Sequence, residues 1–387
     1  MNTESRAFSA TQVSISGICA LVLCIGLARF SYTPLLPLMQ REAGLGDVAA
    51  GALAACNYGG YMAGALLASW IDDSRWRHRL YSAGLPVALL SAAGMGLSSH
   101  WWWWALLRFA GGLCGAAAML LGTGLVLNWL MRAGRRPELG VHFMGLGLGI
   151  VVSALGVMLL SRWQLGWAAQ WWGLSLLCLP LLWPAWRWRP PVPTNSASAQ
   201  AAALDSRRWL WLMLAMYFCA GWGFVINATF TVAIVERQPL LAGQGPLAWL
   251  LVGLASVPAV FLWDRVARRI GDLQALLLAF GLQVLSVLLP ALSESLAAAL
   301  AGALLYGATF IGIVSLTLAV VGRRTPANPG KAMARLTLGY GAAQISAPAL
   351  SGWLVQSTGS FRVPLLLTAA VLVLGMLLLV ALMRERG

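Results

Sequence analysis

Apolar residues in this chain come in long unbroken runs, not at the spacing of helices half-buried on a soluble core. Runs of about 20 such residues, each able to cross roughly 30 Å of hydrocarbon, fall near residues 14–40, 47–70, 80–98, 102–131, 139–160, 167–186, 209–235, 246–263, 273–291, 295–321, 335–356 and 362–383. Short polar or basic segments separate them, so the pattern predicts an all-α membrane protein of twelve transmembrane helices. The first run is too long for a signal-peptide core and lacks a small-residue cleavage pattern before the second, so it reads as a retained helix.

Composition and charge sharpen the picture. With 60% apolar and 10% charged residues, the chain cannot clothe itself in an ordinary charged surface, and lipid must be its main solvent. A net charge of +14 would suggest nucleic acid as the partner of a soluble protein, but the positions of the basic residues exclude that reading. With both termini cytoplasmic, twenty of the 26 fall in inside segments, and only Arg41, Arg162, Arg237 and Arg362 in outside ones. That is the positive-inside bias, and it predicts a multi-pass protein of the bacterial inner membrane. Trp101 to Trp104, Trp163, Trp167, Trp171, Trp172, Trp183, Trp186, Trp188, Trp209 and Trp211 cluster near the predicted span ends, where indole rings favour the interface. All six cysteines fall inside apolar runs without metal-ligand spacing. No disulfide, metal or cofactor is expected.

One linker stands out. Residues 187–208, RWRPPVPTNSASAQAAALDSRR, are basic and rich in Pro, Ser and Ala. They divide the chain into an N-terminal six-helix half, residues 1–186, and a C-terminal six-helix half, residues 209–387. The loop after the eighth run reads Asp264-Arg265-Val266-Ala267-Arg268-Arg269, and the matching loop of the first half reads Asp72-Asp73-Ser74-Arg75-Trp76-Arg77-His78-Arg79. In the eleventh run Ala343, Ala347, Pro348, Ser351 and Gly352 place small residues around a proline, and the fifth run has Gly145, Gly149 and Ser153 at four-residue spacing. The fourth run carries Arg108-Phe109-Ala110-Gly111-Gly112. These patterns resemble the loop signature, the eleventh-span element and the intramembrane arginine of the major facilitator superfamily, although both loops lack that signature's glycines and the fifth run lacks a proline. The resemblance implies two pseudo-symmetric halves with substrate bound between them near the bilayer midplane. It makes Asp72, Asp73, Arg77, Asp264, Arg265, Arg268, Arg269 and Pro348 candidates for conformational gating, the carboxylates bonding to a neighbouring helix in one state and releasing in the other. The bland reading of these loops is topogenic charge.

Charges inside the spans mark function, because an arginine at mid-bilayer costs at least about 2.5 to 3.5 kcal/mol. Arg29 lies in the middle of the first span, within GLARFSYTPLLP, residues 26–37. At 100° per residue Tyr32, Thr33 and Leu36 fall on the arginine's face, and Pro34 and Pro37 should break the helix just beyond it. Arg108 sits nearer the outer end of its span, where it can snorkel. All twelve acids lie in loops, tails or span ends, so the sequence offers Arg29 no carboxylate at its own depth. An anionic group on the solute is the expected partner, with hydration in an open cavity as the competing explanation. His142, near the inner end of the fifth span, reads as a solvated helix-end histidine. Asn57 and Tyr61 on the second span, Asn227 and Thr229 on the seventh, Tyr306 and Thr309 on the tenth, and Tyr340 and Gln344 on the eleventh can line a path or simply bond neighbouring helices.

GLARFSYTPLLP is similar to the first-span signature of the YbfB/YjiJ-type branch of the superfamily, and YFCAGWGFVINATF and LTLGYGAAQISAPALSGWL in the seventh and eleventh spans resemble it too. Membership implies secondary transport of a small molecule without naming one, and carries over most directly to Arg29, Tyr32, Thr33 and Pro34. The candidate substrate-binding set is Arg29, Tyr32, Thr33, Asn57, Tyr61, Arg108, Asn227, Thr229, Tyr306 and Gln344. The expected function is a monomeric secondary transporter in the lipid bilayer, moving an organic anion clamped by Arg29. Broad-specificity drug or metabolite efflux with protons as the coupling ion is the alternative, and a non-transporting receptor or scaffold is the alternative of another class. No G-x-x-x-x-G-K-[ST], H-E-x-x-H or G-x-S-x-G motif is present, which disfavours an ATP-driven pump or an enzyme.

Overall fold

The computed structural model describes residues 8–71, 73–134, 139–192, 207–238, 241–324 and 329–384. Regular structure among the described residues is helical throughout. The elements are α1 (Ala10–Leu21), a π-helical segment (Val22–Phe30), α2 (Tyr32–Ala43), α3 (Asp47–Trp70), α4 (Ser74–Gly94) with a 3-10 turn (Met95–Leu97), α5 (Trp101–Ala116), a second π-helical segment (Ala117–Gly122), α6 (Thr123–Arg132), α7 (Leu139–Arg162), α8 (Trp167–Arg187), α9 (Arg207–Glu236), α10 (Gly245–Ile270), α11 (Asp272–Leu292), α12 (Leu296–Arg324), α13 (Pro329–Thr358) and α14 (Arg362–Arg384). Nine stretches among the described residues are long and apolar enough to cross a membrane. Large apolar side chains are presented outward, such as Leu106, Leu176, Trp211 and Leu377. Such a surface would aggregate in water and is ordinary against lipid.

The chain groups into two compact units, one from residues 1–44 and 56–197, the other from 45–55 and 198–387. In the first, α1 packs on α7 and α8, and the π-helical segment Val22–Phe30 is held by α4, α5 and α7. In the second, α9 packs against α13 and α14, and α12 lies against both α10 and α11. Helices gain little hydrophobic energy from meeting in lipid, so small side chains that let backbones approach decide where they cross. A Cβ at Gly149 would sit 2.7 Å from the Cα of Gly26, and one at Gly145 2.9 Å from the Ile18 carbonyl oxygen. The four-residue glycine spacing of α7 is thus the groove into which the first helix settles. On α5, a Cβ at Gly112 would run into the Asn57 carbonyl and lie 2.7 Å from the Tyr61 nitrogen.

Two expectations need correction. The break in the first span lies in the segment that carries Arg29 and not at the prolines beyond it. The backbone widens into π geometry over Val22–Phe30, and the Ser31 N–H donates to the Gly26 carbonyl five residues back at 3.0 Å. Pro34 is absorbed in the first turn of α2, where a missing N–H is tolerated, and α2 runs on through Pro37 to an αL glycine, Gly44, at φ 68°. The tryptophans also divide into two groups. Trp102, Trp163, Trp183 and Trp211 are exposed, whereas Trp104, Trp171 and Trp209 are buried. The Trp104 indole N–H donates to the Met95 carbonyl at 3.0 Å, and a ring so satisfied packs in the interior as well as at an interface.

Gly112→Ala should lower the unfolding free energy by about 3 kcal/mol, the upper end for overpacking against rigid backbone. Gly124→Ala, with nothing within 4 Å of the added carbon, should not lower it. Thermal unfolding of the two variants in the same detergent checks this, and equal melting temperatures would refute the crossing described for α3 and α5.

Candidate functional site

The first unit concentrates its polar chemistry around the π-helical segment. Arg29 is the penultimate residue of that segment and is 8% exposed. Its guanidinium carbon lies 4.1 Å from the ring centroid of Tyr58 and 5.1 Å from that of Tyr61. Tyr58 and Tyr61 are three residues apart on α3 and share a face, so the cation rests against two π surfaces. Such contacts contribute about 2 kcal/mol when desolvated. Tyr61 belonged to the sequence-predicted set and Tyr58 did not. The signal for Tyr58 was present, since two tyrosines at three-residue spacing opposite a buried arginine form a natural cation-π pair.

Arg108 is buried at 3% exposure, which corrects the expectation that it snorkels to the membrane surface. Its Nη1 donates to the carbonyls of Ala28 at 3.0 Å and Arg29 at 3.3 Å, and its guanidinium lies 4.4 Å from the Tyr32 ring. Having carbonyls and a ring within reach removes the need for water. The Asn57 amide nitrogen in turn donates to the Arg108 backbone carbonyl at 2.7 Å. Tyr32 thus lies against Arg108 of another helix. Thr33 is buried nearby on α2.

This cluster of a buried cation on tyrosine faces, braced by a second arginine bonded to π-helical carbonyls, lies in a chain made of apolar helices. Against known families, residues 21–380 match the model described as "Uncharacterised MFS-type transporter YbfB". The chain belongs to this family. It is accordingly a multi-pass membrane protein of the major facilitator superfamily and not an enzyme. The fold agrees: the structure of the nucleoside transporter NupG superposes with a TM-score of 0.74 at 14% identity, over 97% of this chain and 98% of that one. That of the human organic anion transporter MFSD10 (TETRAN) gives 0.65 at 17%, over 98% and 100%. In sequence, a "Chloramphenicol resistance protein" of Streptomyces lividans is 27% identical over 273 residues, 66% of this chain and 66% of that protein. The match thus spans just under two thirds of that relative.

The other sequence-predicted residues of this MFS-type chain are dispersed. Asn227, Thr229, Tyr306 and Gln344 are buried in the second unit. The Tyr306 hydroxyl donates to the Phe224 carbonyl at 3.1 Å, and Thr309 donates to Gln283 Oε1 at 2.8 Å. Asp72 lies outside the described residues. Asp73 caps α4, its carboxylate accepting the Arg75 N–H at 2.8 Å, while Arg77 reaches the Ala68 carbonyl at 3.5 Å. Asp264 pairs with Arg268 one turn along its own helix, with both side chains more than 60% exposed. Arg265 and Arg269 are exposed as well. The expected bond from Asp264 to a neighbouring helix is therefore absent among the described residues, because the i,i+4 partner is nearer, and an exposed pair of this kind contributes about 0.5 kcal/mol at most. Pro348 sits inside α13, where its carbonyl blocks any side chain at Gly51, and Asp47 pairs with Arg237 nearby. His142 is 2% exposed, not solvated: it shares a 2.9 Å hydrogen bond with Thr123 and packs over Gly17.

Arg108→Lys should destabilise the protein by about 2 kcal/mol, because one ammonium cannot bond the two carbonyls and also lie flat on Tyr32. Chemical denaturation in detergent micelles measures it, and an unchanged midpoint would show that the two carbonyl bonds carry no weight.

Proposed function

We propose that the chain is a secondary active transporter that moves a small organic anion by alternating access, with Arg29 as the anion clamp. The observation that carries this is Arg29 itself, a cation enclosed at 8% exposure in π-helical backbone against two tyrosine rings. Placing charge there is expensive, and intramembrane ionisable residues are retained where they meet a solute. π-Helical insertions likewise gather at functional positions. A guanidinium lying on aromatic faces keeps its planar edge suited to a carboxylate or phosphate fork. Asn57 and Arg108 act one layer back, holding the backbone from which Arg29 projects.

The architecture that goes with this reading is twelve spans in two six-helix halves, residues 1–186 and 209–387, joined by a cytoplasmic linker at 187–208, in the bacterial inner membrane with both termini inside. α3, α8 and α13 would complete the nine apolar spans. Their Gly, Trp and Gln content lowers their hydropathy without shortening them below membrane thickness. The basic bias of the inside segments supports the orientation. A second reading, drug export in exchange for protons, is favoured by the likeness to the chloramphenicol resistance protein.

Thermal unfolding of the purified protein against organic anions, organic cations and neutral sugars separates the two. A bound anion at 100 times its dissociation constant should stabilise the wild type by about 2.7 kcal/mol, and Arg29→Gln should abolish that gain. Anion stabilisation that is undiminished in Arg29→Gln would remove the clamp role and leave broad-specificity export.

A further inference from the structure

The second unit holds a group of side chains that the clamp does not use. Tyr217 and Phe224 on α9, Tyr306 and Phe310 on α12, and Tyr340 on α13 form one continuous aromatic cluster. Ring centroids are 4.5 Å apart for Tyr217 and Tyr340, 5.9 Å for Phe224 and Tyr340, 5.4 Å for Phe224 and Phe310, and 5.1 Å for the stacked pair Tyr306 and Phe310. All five are buried. Large rings are not what helix packing in lipid calls for, since small residues bring helices together there. The same helices obey that rule elsewhere: a Cβ at Gly221 of α9 would lie 2.6 Å from the Tyr340 carbonyl of α13. The cluster therefore asks for a reason other than helix association.

Asn227 supplies one. It follows Phe224 by three residues, on the same side of α9, and is 4% exposed. Its amide nitrogen is buried without a hydrogen-bond partner among the described residues. The nearby Thr231 hydroxyl donates to the Asn227 backbone carbonyl at 2.7 Å and so does nothing for the side chain. A buried unsatisfied donor is costly and needs an explanation. Aromatic side chains beside a single placed donor are among the features of a small-molecule site.

We propose that this cluster is a binding subsite for a planar aromatic solute bearing an oxygen acceptor, its ring lying against Phe224, Phe310 and Tyr340 and its carbonyl or nitro oxygen accepting from Asn227 Nδ2. The inference rests on the transporter reading and narrows the solute class. It makes no use of the Arg29 charge, so the two stand or fall separately.

The test is calorimetric titration of the full-length protein in detergent with three probes: 4-nitrobenzyl alcohol, which has an aromatic ring and a nitro acceptor but no charge; cyclohexanecarboxylate, which has charge but no aromatic ring; and 4-nitrobenzoate, which has aromatic ring, nitro group and charge. Wild type should bind 4-nitrobenzyl alcohol. Asn227→Leu and Phe310→Leu should each weaken that binding at least about tenfold. The ligand-free melting temperature of Asn227→Leu should hold or rise, because the variant removes a donor that no protein group satisfies. A clear fall in that temperature would make Asn227 a packing residue and overturn the proposal. So would wild-type protein that binds neither nitroaromatic, or aromatic binding unaffected by both cluster variants. Arg29-dependent binding of cyclohexanecarboxylate alongside either result would uphold the clamp while removing the subsite.

Discussion

The hydrogen bonds from Arg108 to the carbonyls of Ala28 and Arg29 are the contacts on which the arrangement of the first unit turns. A guanidinium cannot be left bare among apolar helices, and backbone carbonyls, which can accept a second hydrogen bond, are the acceptors within its reach. The π-helical stretch Val22–Phe30 carries both of the carbonyls to which Arg108 donates. The segment can lie this close only because its neighbours are small. Gly149 meets Gly26, and Gly111 of α5 approaches the Ala28 carbonyl so closely that a Cβ there would lie 3.1 Å from it.

From this constraint the two intramembrane arginines acquire different characters. Arg108 turns towards the backbone and Tyr32, while Arg29, one residue beyond the bonded Ala28, turns its guanidinium onto Tyr58 and Tyr61. In the proposed mechanism the first is structural and the second meets the solute. The second unit is built with other materials, an aromatic cluster with a buried amide, so under these proposals charge recognition and ring recognition are carried by separate groups of helices.

Much of the fold was legible because lipid imposes a strong pattern: the long apolar runs appear as helices, and family membership was readable in residues 26–37 and in the seventh and eleventh spans. The geometry around Arg29 was much less so. Helical face arithmetic assumes constant twist, which the nine-residue π segment does not keep, and it gives no sign of a contact between helices such as that of Tyr32 with Arg108. Arg108 looked like a snorkelling residue because sequence gives depth along a helix but not which neighbour's carbonyls it meets. His142 was misread for the same reason, since a helix end can still be covered by another helix, here through Gly17. Trp104 and Trp171 fell with the interfacial indoles because composition does not distinguish a ring at the membrane surface from one packed inside. Asp264 had a close partner one turn away, which local spacing made foreseeable.

The account is tested most directly by counterflow exchange of a radiolabelled aromatic carboxylate into proteoliposomes preloaded with the unlabelled compound. It predicts saturable accumulation with wild-type protein, loss with Arg29→Gln, and partial retention with Arg29→Lys, which keeps the charge but not the fork. Equal accumulation by wild type and Arg29→Gln would contradict it.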